Sequence, residues 1–137
     1  MNFKEKLIQD LTKDEGLRLK PYRCTSNKLT IGYGRNIQDN GISESEASYM
    51  LSNDIQSCIA ELDKRLYYFS DLPETVKSVL VNMCFNLGIT RLMKFSKTLM
   101  YIEHRDYKAA SIEMMDSKWA EQVGIRAVRL SRELYES

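Results

Sequence analysis

Ala47, Met50, Leu51, Ile55, Cys58, Ile59, Leu62 and Leu66 recur at i, i+3, i+4, i+7 spacing and draw one long apolar stripe. Ser43-Glu44-Ser45-Glu46 stands just ahead of it as a capping box, with a hydroxyl at the cap and a carboxylate three residues later. A helix of about twenty-four residues, at ~1.5 Å each, reaches roughly 36 Å. Such a rod is long enough to connect a small sheet-bearing lobe to a helical one, and the remaining segments are arranged before and after it.

The segment before the rod changes character twice. Asn2 followed by Glu5 marks a helix start, and Phe3, Leu7, Ile8 and Leu11 give that helix one apolar face. Gly16 ends it and leaves Glu15 at its C-terminal edge, the negative end of the helix dipole, where a carboxylate is disfavoured as an anion. Pro21 then excludes helix, Ser26-Asn27 predicts a hairpin turn, and Lys28 to Tyr33 alternates polar and apolar residues with β-branched Thr30 and Ile31. The expectation is a small antiparallel sheet of two or three strands. Gly32-Tyr33-Gly34 suits a tight strand exit better than a dinucleotide loop, because no helix follows it directly. Asp39-Asn40-Gly41 is expected to be a loop.

After a break at Tyr67 to Pro73 the pattern is helical to the end. Val76, Val79, Leu80 and Met83 form a face that stops at Gly88, and Phe95-Ser96 opens a short helix with Leu99, Met100 and Ile102. Asp106 caps another, with Tyr107, Ala110, Met114 and Met115 inward. Trp119 and a last helix from Val123 to Leu134, with Arg126, Arg129 and Arg132 on its polar face, complete the chain. The methionines read as core filler. His104, in a polar Glu-His-Arg-Asp stretch, reads as a surface residue.

With 137 residues the chain suits one compact domain, or two small lobes sharing a helix. Twenty basic against nineteen acidic residues leave a net charge of +1, which points away from nucleic acid as a partner, since phosphate binding needs many cationic contacts. Cys24, Cys58 and Cys84 are too few and too scattered for a disulfide framework, and no Cys-x-x-Cys or matching His spacing suggests a metal. Cys58 and Cys84 fall on apolar helical positions, as small hydrophobes do. The opening Met-Asn-Phe-Lys-Glu-Lys-Leu lacks a long apolar run, so neither a secretory signal nor stable membrane insertion is expected. A target outside the cytoplasm then needs outside help to be reached.

The stretch from Glu15 to Gly34 is the candidate site. Hydrolysis of a glycoside needs a proton donor for the leaving oxygen and, on the other face of the sugar, a base with its water or a nucleophile. Glu15 can be the donor, and Cys24, Thr25 and Thr30, on a turn and strand, are candidates for the other face.

Asp14-Glu15-Gly16-Leu17-Arg18-Leu19-Lys20-Pro21-Tyr22, Thr25 and Thr30-Ile31-Gly32-Tyr33-Gly34-Arg35-Asn36 resemble the active-site signature of the bacteriophage-type lysozymes, glycoside hydrolase family 24. The likeness continues in Gly41-Ile42-Ser43, in Asn82-Met83-Cys84-Phe85-Asn86-Leu87-Gly88, and in Trp119 with Arg126 downstream. The family pattern of Glu, eight residues, Asp or Cys, five residues and Thr is met by Glu15, Cys24 and Thr30.

The resemblance implies an α+β, mostly helical fold over residues 1–137: a small sheet lobe over about 12–45, a connecting helix over about 43–66 and a helical lobe over about 67–137 that includes the N-terminal helix, with a cleft between the lobes. It implies hydrolysis of the β-1,4 bond between N-acetylmuramic acid and N-acetylglucosamine in peptidoglycan glycan strands, by a monomer without cofactor that depends on a holin to leave the host cytoplasm. Glu15 matches the general acid, Cys24 the position where many members have Asp, and Thr30 the residue that orients water. Phe85 and Thr98 match cleft-lining positions, and Arg126 a basic residue that pairs with the acid. Cys24 leaves three roles open: thiolate base, nucleophile giving retention, or spectator beside a water held by Thr30. A lytic transglycosylase and an inert wall-binding module on the same fold are the alternatives.

Overall fold

The computed structural model describes residues 1–137, which divide into two compact units, Met1–Tyr49 and Met50–Ser137. The division falls inside the long helix expected from the stripe.

The first unit opens with α1 (Phe3–Glu15). The Asn2 side chain accepts the Glu5 N–H at 2.8 Å while the Glu5 carboxylate accepts the Asn2 N–H at 3.3 Å, the reciprocal cap that satisfies two orphan donors. Gly16 closes the helix, its N–H donating to the Thr12 carbonyl. The apolar face is present, yet no residue of α1 is buried and Phe3 is 82% exposed, because side-chain periodicity marks a face without supplying a surface to cover it.

Three strands follow, β1 (Arg18–Arg23), β2 (Leu29–Gly32) and β3 (Arg35–Asn36), in one antiparallel sheet of order β1-β2-β3. The β1–β2 register shifts between Arg18 and Tyr22, where Pro21 has no N–H to give the ladder. Gly32 and Gly34 take φ of +73° and +81° around the turn into β3, the tight exit expected of the Gly-Tyr-Gly. The loop expected at Asp39-Asn40 is one helical turn, α2 (Ile37–Asn40), because the Asn36 side chain accepts the Asp39 N–H at 3.0 Å. Thr30 is the one buried residue of this unit.

The helix α3 spans Glu44–Arg65, with the Ser43–Glu46 capping box in place at 2.8 Å and 3.1 Å. Of its stripe only Leu62 is fully buried, with Leu66 just beyond the helix; Met50 and Leu51 stay exposed.

A short 3-10 turn (Phe69–Asp71) leads to α4 (Glu74–Leu87), on which Val76, Val79, Leu80, Met83, Cys84 and Leu87 are all buried. Around it lie α5 (Ile89–Leu92), α6 (Ser96–Glu103), α7 (Tyr107–Met115), α8 (Lys118–Val123) and α9 (Ile125–Tyr135). Asp106 caps α7 as expected, accepting the Ala109 N–H. The single last helix expected from Val123 is cut at Gly124, whose φ of +57° ends α8 and starts α9. Cys84 is buried and Cys58 packs half-buried on the same core; burial first, then the adjoining Cys58 thiol, push the Cys84 thiol up to about 12.

Two asparagines of α4 hold the later helices. The buried Trp119 donates its indole N–H to Asn86 Oδ1 at 2.7 Å, and its ring meets Phe95 edge-on at 6.0 Å. Asn86→Ala strands that N–H without an acceptor, so a loss of about 1–3 kcal/mol is expected. The urea midpoint followed by circular dichroism checks it, and an unchanged midpoint rules the bond out as a contributor.

Candidate active site

Glu15 is the last residue of α1 and is exposed. Its carboxylate lies against Gly34: a Cβ built on that glycine would stand 2.7 Å from Glu15 Oε2. Any side chain at 34 therefore displaces the carboxylate, and the φ of +81° is strained for an L-residue as well. Gly34 also borders a polar hollow of about 520 Å³ lined by Arg35, Asn36, Asn40, Gly41, Ile42, Ser43 and Glu46.

Cys24 follows β1 at the start of the hairpin turn. Its backbone N–H donates to the Lys28 carbonyl at 3.0 Å and its carbonyl accepts the Asn27 N–H at 2.8 Å, so the turn is closed at both ends. Asn27 supplies the left-handed step with a φ of +59°. The nearby Lys28 N–H first, then the Thr30 hydroxyl and the Ser26 N–H, hold the pKa of the half-buried thiol below the ordinary thiol value. A thiolate is the nucleophilic and basic form of cysteine, so the turn favours the reactive state.

Thr30, only 3% exposed, donates its hydroxyl to the Lys28 carbonyl at 2.9 Å. One hydroxyl carries one proton and two lone pairs. Beside a protonated thiol it can keep that proton on Lys28, and beside a thiolate it can turn it to sulfur. Cys24, through its N–H, and Thr30, through its hydroxyl, thus meet at the Lys28 carbonyl.

In the helical unit, Phe85 and Arg126 line one groove of about 760 Å³, with Leu51, Ile55, Ile59, Phe69 and Val81 among its apolar walls. The Arg126 guanidinium donates to Asn82 Oδ1 at 2.9 Å and 2.7 Å, a two-pronged grip from α4 onto α9. Thr98 is buried in α6 and borders a different hollow, with Lys94, Phe95, Lys97, Glu113 and Asp116. Thr25, the remaining candidate of the turn, is exposed. No group of three or more His, Cys, Asp or Glu side chains converges to hold a metal.

Residues 12–133 match the family model described as phage lysozyme. The chain belongs to the phage lysozyme family. An endolysin of Acyrthosiphon pisum secondary endosymbiont phage 1 is 32% identical over 124 residues, covering 88% of this chain and 81% of its own length. A probable T4-type lysozyme 2 of Dictyostelium discoideum is 27% identical with 90% of each chain covered. An endolysin of Bacillus phage B103 is 32% identical over 90% of this chain, which spans 48% of that relative. The chain is therefore an enzyme of the lysozyme type, a glycosidase with peptidoglycan as its substrate, on the α+β fold described above. No helix is long and apolar enough to cross a membrane.

Several supporting residues have partners that the sequence did not reveal. Gln38, Asn82 and Asn86 act through partners 9 to 44 residues away, beyond any local pattern. Glu46 had a local signal, its capping box, but not its second partner: it also pairs with Arg35.

Two outcomes follow from the titrating groups. Arg35 first, then the Ser43 N–H and hydroxyl, hold Glu46 at about 2 against an ordinary 4.5. Its contribution to stability is complete above pH 4.5 and is lost as pH falls toward 2, and carboxyl NMR of Arg35→Gln should show Glu46 titrating higher. For Cys24, alkylation by iodoacetamide followed by peptide mass should be half-maximal below the ordinary thiol pH, and Thr30→Val should raise that midpoint. A midpoint unmoved by Thr30→Val contradicts the hydroxyl contact.

Proposed function

We propose that the chain is an endolysin that hydrolyses the β-1,4 bond between N-acetylmuramic acid and N-acetylglucosamine, with Glu15 as general acid and Cys24 with Thr30 activating and positioning the water. The observation that carries this reading is the meeting of Cys24, through its N–H, and the buried Thr30 hydroxyl at the Lys28 carbonyl, in the same sheet-bearing unit as an exposed carboxylate at a helix end. In the reaction, water attacks the anomeric carbon while its proton passes to the Cys24 thiolate. The glycosidic C–O bond breaks as its oxygen takes the proton of Glu15, leaving a thiol, a carboxylate and an inverted reducing end. Proton exchange with solvent restores both groups.

Phe85, Thr98 and Arg126 are the proposed substrate-binding or supporting residues. An exposed phenyl ring and a half-buried guanidinium on one groove suit stacking and hydrogen bonding to sugar. The endolysin names of the phage relatives support a role in host lysis. Release to the wall through a holin is part of the same proposal.

Glu15→Gln is expected to fold normally and to lower turnover of purified peptidoglycan by about 10²–10⁴-fold. Mass spectrometry of the wild-type digest should find new reducing ends; anhydro-muramic products would instead identify a transglycosylase, and binding without products an inert wall module. Cys24→Ser should lose most activity and Cys24→Asp retain it, whereas full activity in Cys24→Ser makes the thiol a spectator. NMR of the first product anomer separates inversion from retention.

A further inference from the structure

The Glu15 carboxylate rests on Gly34, where an added Cβ would meet Oε2 at 2.7 Å, the carboxyl carbon at 3.0 Å and Cγ at 3.2 Å. No ion pair of the sheet-bearing unit includes Glu15, which leaves packing on Gly34 to limit where the carboxylate can stand in that unit. The place of Gly34 therefore decides where a proton on Glu15 is offered.

Gly34 leads into β3, an edge strand of two residues that meets β2 through the pairs Thr30↔Asn36 and Ile31↔Arg35. So short a ladder defines the strand weakly, and the Arg35 side chain gives it a second attachment. Arg35 Nη1 donates to Glu46 Oε1 and to the Gly41 carbonyl, the latter at 3.5 Å. The same Glu46 oxygen accepts the Ser43 N–H at 2.8 Å, while the Ser43 hydroxyl accepts the Glu46 N–H at 3.1 Å. The capping box of α3 thus fixes the carboxylate that Arg35 grips. One oxygen ties the start of α3 to β3, and through β3 to the glycine beneath Glu15. An exposed ion pair of this kind adds little stability, but with one partner already fixed it imposes a direction on the other.

We propose that Arg35 and Glu46 are positioning residues for Glu15, acting as one pair that holds β3 and so sets the Gly34 surface on which the carboxylate rests. Their meaning for turnover rests on the reading of Glu15 as general acid; the mechanical link does not.

Arg35→Met keeps the stem of the side chain and removes its donors, and Arg35→Lys keeps a cation. Glu46→Gln keeps an oxygen for the Ser43 N–H and removes the charge. Two measurements are made on the full chain: the Gly34 amide and Glu15 carboxyl resonances by NMR, and kcat and KM on peptidoglycan. In Arg35→Met both resonances should move and kcat fall about three- to tenfold with KM within about twofold, and Arg35→Lys should return both measurements toward wild type. Glu46→Gln should show the same changes more weakly and add nothing to Arg35→Met, as members of one pair do. Circular dichroism verifies the fold, and Glu46→Gln carries the test should Arg35→Met disturb it. Unmoved resonances, losses that multiply in the double variant, or a rise in KM at unchanged kcat overturn the proposal; the last makes the hollow beside Gly34 a sugar-binding surface instead. Moved resonances with kcat and KM both unaltered keep the positioning role and remove Glu15 from the chemistry.

Discussion

Burial of one face of α4 is the constraint on which the helical unit depends. Val76, Val79 and Leu80 are inaccessible and Met83 is nearly so, while Glu74, Thr75, Ser78, Phe85 and Asn86 on the rest of the helix stay exposed. Asn82, half-buried, and Asn86, exposed, reach from this helix to other segments of the chain. One takes the Arg126 guanidinium and the other the Trp119 indole, so polar groups beside the buried face become the fasteners of α9 and α8. Phe85, between them in sequence, is left facing the groove.

The sheet-bearing unit is stabilised differently. With Thr30 as its one buried residue, it draws little from the hydrophobic effect and much from short polar contacts: two capping boxes, the closed Cys24–Lys28 turn and the Arg35–Glu46 pair. Polar contacts of this kind are directional. That explains how a region with so small a core can present an ordered turn.

What the sequence made legible divides along the same line. Asn2 with Glu5, and Ser43 with Glu46, act within one helical turn, so their partners could be read from spacing alone. Gly16 and Gly88 end helices for reasons internal to the backbone. The convergence of Cys24 and Thr30 on the Lys28 carbonyl follows from a hairpin whose turn residues were visible. Burial was harder to read: Phe3, Leu7, Ile8 and Leu11 have the period of a packed face and are exposed, because period reports a face and tertiary structure decides what covers it. The turn at Ile37–Asn40 was missed because a side-chain cap from Asn36 outweighed the loop propensity of Asp39-Asn40-Gly41, and the break at Gly124 because apolar spacing continued across it. Gln38 gave no signal, since its partner lies in another segment's backbone.

Trp119 is the only tryptophan of the chain, and it is buried in the helical unit, whereas the sheet-bearing unit carries Tyr22, Tyr33 and Tyr49 and no indole. Indole emission therefore follows the melting of one unit and is blind to the other, while far-ultraviolet dichroism samples both. Superposition of the two transitions means that the halves unfold as one body; separation means that the half bearing the proposed catalytic turn has a stability of its own.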